Sequence, residues 1–276
     1  MLFCLVRVPI EASCSFGMSR AHLHAELDAY YARLYGLTRD ELRDISRKQM
    51  AIDPKTFLPV EVVFHPSWWR KHYGIAFDER FFFDPTARVE SERVMRAALH
   101  ARFGDLGLGE ANAAPRPVIG PVHLAAGFLP SAVLGCAIRF YDDASPEVVP
   151  ANFTDEQVMA LEVPDLEANA AFKKLIALMD ALEACFGYLE GDVNWEGVQN
   201  VALNLRGPQL FVDYCEKPEL ARRVLDVSER TVRAIADYIR RRTGSNSLAV
   251  NRVVGTLNAP ISLHSNCTVA MISART

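Results

Sequence analysis

The sequence predicts an α/β fold with a mostly parallel sheet, and three observations point to it. Short runs rich in β-branched and aromatic residues recur along the 276-residue chain. Helical periodicities of ten or more residues lie between several of them, the alternation that builds right-handed βαβ crossovers. No internal repeat, Pro/Gly/Ser-rich linker or low-complexity tract divides the chain, so residues 18–276 read as a single domain.

The elements follow in order. From Arg20 to Tyr35 the residues Leu23, Leu27, Tyr30, Tyr31 and Leu34 recur at three- and four-residue steps, which is a helix with one buried stripe, and Gly36 stops it. Thr38-Arg-Asp-Glu41 then has capping-box spacing and opens a second, short helix. Phe57 to Phe64 reads as a strand ending at His65-Pro66, followed by the cluster Trp68-Trp69-Arg70-Lys71-His72-Tyr73. A helix begins at Asp84-Pro85 with Val89, Arg93, Met95, Leu99 and Phe103 on its inward face, and Gly104 to Gly109 closes it. Pro117 to Leu124 and Cys136 to Tyr141 are strand-like, with a compact segment around Pro130 between them. After a turn-rich stretch from Asp142 to Pro164, the clearest helix runs from Asp165 as N-cap to Gly187, and the strand Tyr188 to Val193 follows at once. Pro218 sits in the first turn of the next helix, where its missing donor is harmless, and Leu220, Val224, Leu225, Val232, Ile235 and Ile239 mark that helix's inner face. Arg240-Arg-Arg242 in its last turn suits the negative end of the helix dipole and reads as a solvated terminus. Leu248 to Val254 and Pro260 to His264 are the last strand candidates.

Charge and composition exclude several classes. Half the residues are apolar and 23% are charged, a globular balance with ample material for a core. With 30 Lys+Arg against 34 Asp+Glu, the net charge of -4 offers no bulk attraction to phosphate backbones or anionic lipid. Nucleic acid and membrane are therefore not expected partners, and no window approaches the ~20 apolar residues of a spanning helix. Six cysteines without a C-x-x-C pair describe no disulfide framework and suit a reducing cytoplasm. The opening ten residues lack a basic n-region and a cleavage site. Because Met18-Ser-Arg begins a better helical pattern, residues 1–17 are expected to be an extension outside the folded core.

Two polar turns carry the candidate chemistry. Asp192, Asn194, Glu196, Gln199 and Asn200 crowd ten residues between a strand and a helix, at the sheet edge where α/β proteins build sites. They read as a ligand-contacting loop or as capping and turn chemistry. His264, Asn266 and Cys267 also follow a strand and read as pocket lining, or as structural polarity beside a buried thiol. His264 and Cys267 could share a zinc ion, but a site needs at least three protein ligands and no partner pair is evident, so no metal ligands are assigned. Asp142-Asp143 reads as a turn before Pro146, since neighbouring carboxylates point apart. His65, His72 and His123 near strand ends read as structural histidines, and Trp68 and Trp69 as packing rings or a stacking surface for a planar ligand.

Leu134-Gly-Cys136 to Pro146, the Pro164-Asp165 helix, Gly191 to Gly207, Lys217-Pro218-Glu219 and Met271-Ile-Ser273 occur in an ordered pattern over roughly 115–276. The set resembles the uroporphyrinogen decarboxylase family, which holds the haem-pathway decarboxylase and the corrinoid-linked methyltransferases. The resemblance implies a TIM-like (β/α)8 barrel with extra N-terminal helices, whose strand C-termini hold a tetrapyrrole or a one-carbon substrate. Closing such a barrel of ~250 residues takes eight strands, whereas about five are visible here. The sheet is therefore either open or an incomplete barrel, and the resemblance favours a barrel whose last strands, about 90 residues, are missing. In the methyltransferases an H-x-C zinc motif lies in that later portion, and His264-Ser-Asn-Cys267 falls one or two strands too early to be it. Cys267 instead falls near where the decarboxylases place a substrate-contacting serine.

Departures from the decarboxylase pattern choose among the implied activities. The arginine-rich R-Q-A-G-R-Y segment that holds substrate carboxylates is absent, and Trp69-Arg70-Lys71 is a weak substitute. Where the catalytic aspartate is expected the chain reads Leu124-Ala-Ala-Gly-Phe-Leu129, without a carboxylate. The stretch Gly197 to Asn204 lacks the family's tyrosine. Divergent corrinoid-linked methyl transfer is thus favoured over decarboxylation of uroporphyrinogen to coproporphyrinogen, with a non-catalytic tetrapyrrole or corrinoid binder as a third reading. The resemblance implies a small-molecule or tetrapyrrole ligand and a corrinoid protein as partner. It also implies corrinoid and zinc in the full-length protein, with a zinc-bound thiolate activated by its lowered pKa.

Overall fold

The computed structural model describes residues 64–106, 108–120, 127–244, 248–249 and 262–263. The expected helices before residue 50, most of the 57–64 strand, and His123, His264, Asn266 and Cys267 lie outside them.

Helices dominate the described residues, and local sequence explains where each starts. Helix α1 (Pro66–Tyr73) opens on Pro66, with the His65 ring accepting from the Ser67 N–H as its N-cap. Asp78 caps α2 (Glu79–Phe83) through the Phe81 N–H, and Asp84 caps α3 (Pro85–Phe103) through the Ala87 N–H at 2.7 Å. The inward face of α3 differs from the expected one. It buries Arg88, Glu92, Met95, Arg96 and Leu99, while Arg93 turns outward to pair with Glu90. Buried charge is tolerable because it is paired. Arg96 grips Glu92 and Glu110, and Arg88 donates to the Phe81 carbonyl while its guanidinium lies 4.2 Å from the Phe81 ring centroid. Around these helices Trp69, Phe77, Phe81, Phe82 and Phe128 form an aromatic core. Trp68 stacks on Phe64 and Trp69 is fully buried, so both rings pack.

Short pieces follow: α4 (Leu129–Val133), β1 (Ala137–Arg139) and β2 (Glu147–Val149), then α5 (Asp155–Met159). The 136–141 run is a strand, but β1 pairs antiparallel with β2, because the Asp142–Pro146 turn is too short for a crossover. Thr154 and Gln157 close a reciprocal capping box on α5.

Helix α6 (Ala170–Phe186) starts later than the sequence suggests: Asn169 caps it, and Asp165 caps the preceding turn through the Glu167 N–H. Then come α7 (Val198–Arg206), α8 (Gln209–Glu216) and the 26-residue α9 (Pro218–Thr243). The apolar stripe of α9, including Leu220, Val224, Val227, Val232, Ile235 and Ile239, is buried against α7, α8, α5 and α4. Each fully buried aliphatic side chain there contributes about 1.5–3 kcal/mol. At its C-terminus Arg242 reaches α6 and pairs with Asp180 and Glu183, a tie beyond the solvated terminus expected of the three arginines.

Strand pairing among the described residues is sparse. Beyond β1–β2, it comprises one isolated parallel bridge, Val118 to Glu190, and a parallel pair of β3 (Leu248–Ala249) with β4 (Ser262–Leu263). The bridge joins the 117–124 and 188–193 runs in the parallel sense that βαβ units require, and it positions the polar turn after Glu190. Two glycines press that turn into place. A Cβ on Gly120 would collide with the Asp192 carbonyl, and one on Gly127 with the Trp195 backbone. No helix among the described residues is long and apolar enough to cross a membrane.

Candidate ligand hollow and the polar turn beside it

The turn between Gly191 and Val198 is held by its own polar side chains. Asp192 is buried, and its carboxylate accepts from the Val193 N–H and from the Trp195 indole N–H at 2.9 Å. Glu196 is also buried. It accepts from the Ser131 N–H at 3.1 Å, from the Ser131 hydroxyl at 2.8 Å and from the Asn204 side-chain amide at 2.8 Å. Asn204 also donates to the Ser131 hydroxyl, and its main-chain carbonyl accepts from the Cys136 thiol and the Ala151 N–H. One carboxyl thus fastens α4, the turn and α7 together. Burial pushes the Glu196 carboxyl up to about 7, against the three hydrogen bonds that favour its ionised form. Gln199 is buried and Asn200 half-buried in the first turn of α7.

Space for a ligand lies beside this cluster. A hollow of about 240 Å³ is walled by Phe83, Phe128, Phe140, Leu129 and Ile138, with Cys136 among its lining and the Glu79–Lys174 ion pair on its solvent side. A narrower hollow of about 30 Å³ shares Phe83, Phe128 and Leu129 with it and reaches Val193 and Asn194. The polar turn therefore brings Asn194 to a hollow, while Asp192 and Glu196 hold the protein's own backbone and side chains. Ser131, Cys136 and Asn204 were not singled out from the sequence. They come to Glu196 through the packing of α4 against α7, over separations of up to 65 residues, which local periodicity does not encode.

Among the described residues no three His, Cys, Asp or Glu side chains converge as a metal would need. Burial first, and then the neighbouring Glu196 carboxyl, push the Cys136 thiol up to about 11. The larger hollow, at about 240 Å³, is smaller than the ~300–1,000 Å³ usual for drug-sized ligands. Asp142 pairs with Arg70 at 3.2 Å on the surface, where both side chains are solvated.

The sequence matches no family profile, and no curated protein. In shape the chain is similar to a methyltransferase from Methanosarcina mazei, with 16% sequence identity and a TM-score of 0.48. The match covers 68% of this chain and 51% of that one, so the chain spans about half the length of that protein. At this level the likeness assigns no activity.

Proposed function

We propose that this chain handles a small methylated molecule in a methyl-transfer reaction, on a (β/α) fold of the uroporphyrinogen decarboxylase type. The ordered sequence resemblance over 115–276 supports the fold and the reaction class, and the parallel sense of the Val118–Glu190 bridge and of β3–β4 is in keeping with it. The observation that carries the choice of substrate is the lining of the larger hollow. Five apolar side chains, Phe83, Phe128, Phe140, Leu129 and Ile138, wall it, and Lys174 is the one cation in its lining. A porphyrinogen bearing acetate and propionate side chains would need several guanidinium or ammonium groups around it. Decarboxylation of such a substrate is accordingly the weaker reading. Asn194 would orient the small molecule from the adjoining hollow. By the resemblance, the methyl acceptor would be a corrinoid carried by a partner protein.

The test is a pair of turnover assays on the purified chain. With free cob(I)alamin and a panel of methylated amines, thiols and methoxylated aromatics, methylcobalamin absorbance rises above the protein-free rate for at least one donor. Release of carbon dioxide from uroporphyrinogen without corrinoid methylation would overturn methyl transfer in favour of decarboxylation. Turnover of neither would refute both.

A further inference from the structure

The larger hollow has a chemical character more specific than apolarity. Phe83 and Phe140 each stand nearly perpendicular to Phe128, at interplanar angles of 84° and 87°, with ring centroids 6.2 and 5.5 Å away. All three rings line the same space. Aromatic walls meeting at right angles present π faces and edges to one small volume, and a π face attracts a cation without demanding its hydration shell. A hydrocarbon would fill such a box equally well, but the solvent side adds charge of both signs. Glu79 and Lys174 pair across 95 residues there, with side chains about half exposed. A ligand with one charge could satisfy only one member of that pair and would leave the other without its partner.

We propose that the hollow is a binding site for a small zwitterion with an N-methylated ammonium, the methylated head lying among Phe83, Phe128 and Phe140 and the carboxylate reaching Lys174. Glu79, released from Lys174, then faces the ammonium. The inference deepens the methyl-transfer reading and rests on it for the ligand's role, but binding itself is independent of turnover. The volume of about 240 Å³ accommodates a trimethylammonium group with a short acid arm.

The probe is glycine betaine, compared by isothermal titration calorimetry on the full chain with 3,3-dimethylbutanoate, which has the same shape with carbon in place of the cationic nitrogen. Betaine binds about tenfold more tightly than the carbon isostere, the contribution expected of a desolvated cation over aromatic faces. Lys174→Gln weakens betaine several-fold and does not weaken tetramethylammonium, which has no carboxylate to lose and gains an unpaired Glu79. Both positions are exposed, so K174Q and E79Q keep the wild-type far-ultraviolet circular dichroism. Equal affinity for betaine and its isostere, or no binding of betaine, overturns the proposal. Betaine binding without corrinoid methylation from any donor leaves this site standing and removes the methyl-transfer reading. Methylation from an uncharged donor without betaine binding does the reverse.

Discussion

Ser131 gives both its backbone N–H and its hydroxyl to the Glu196 carboxylate, across 65 residues of chain. Two hydrogen bonds from one residue fix the carboxylate in position and orientation, and the Asn204 amide adds a third, to the same Oε1 that accepts from the Ser131 hydroxyl. The first turn of α4 and the turn ahead of α7 are thereby held as a unit beneath the hollow's Phe128–Leu129 wall.

That buried carboxyl makes stability depend on pH in a defined direction. Its folded value is raised from 4.5 to about 7, so between those values the folded chain binds more protons at this site than the unfolded chain does. The contribution is complete below about pH 4.5 and is lost as pH rises toward 7, a change of roughly 3 kcal/mol by linkage. Urea melts at pH 5, 6, 7 and 8 will show wild type losing stability relative to Glu196→Gln as pH increases. A difference that is flat with pH would contradict this.

Arg206 and Asp213 form the most enclosed ion pair described, with side chains 4% and 1% exposed. Arg206 also binds Asp155 and the Phe153 carbonyl, so one guanidinium joins α5, α7 and α8. Arg206→Ala leaves the Asp213 carboxylate buried without its cation and should cost about 3–5 kcal/mol in chemical denaturation. Arg206→Lys will recover only part of that, because an ammonium cannot reproduce the planar fork.

Cysteine labelling checks the electrostatics beside the hollow. Cys185 and Cys215 are exposed, whereas Cys136 is buried with its thiol held at about 11. Iodoacetamide at pH 8, followed by peptide mass spectrometry, will modify Cys185 and Cys215 well before Cys136, whose buried thiol is held protonated. Rapid labelling of Cys136 in the native protein would count against the burial described.

Much of the helical framework was legible from the sequence because its signals are local. The α9 stripe follows three- and four-residue steps that any amphipathic helix must show, and five of the six expected positions, Leu220, Val224, Val232, Ile235 and Ile239, are buried. The start of α6 was misplaced from Asn169 to Asp165 because both residues cap, one a turn and the other the helix, and their side chains offer the same acceptor. On α3 the periodicity marked apolar positions, while the fold also buries Arg88 and Arg96, whose partners Phe81, Glu92 and Glu110 make that tolerable. The polar density of 192–200 was visible, but not that Asp192 would hold Trp195 or that Glu196 would hold Ser131. Nor could the aromatic box be read, since Phe83, Phe128 and Phe140 are dispersed along the chain and meet only through tertiary packing.

The tight approach of Gly120 and Gly127 to the Asp192–Trp195 backbone divides the molecule for anyone redesigning its specificity. Libraries that vary Ile138, Ala132 and Ala171 reshape the hollow from its own lining. Adding a single methyl group at either glycine would instead push on main chain, so those two positions are best left untouched when selecting for new ligands.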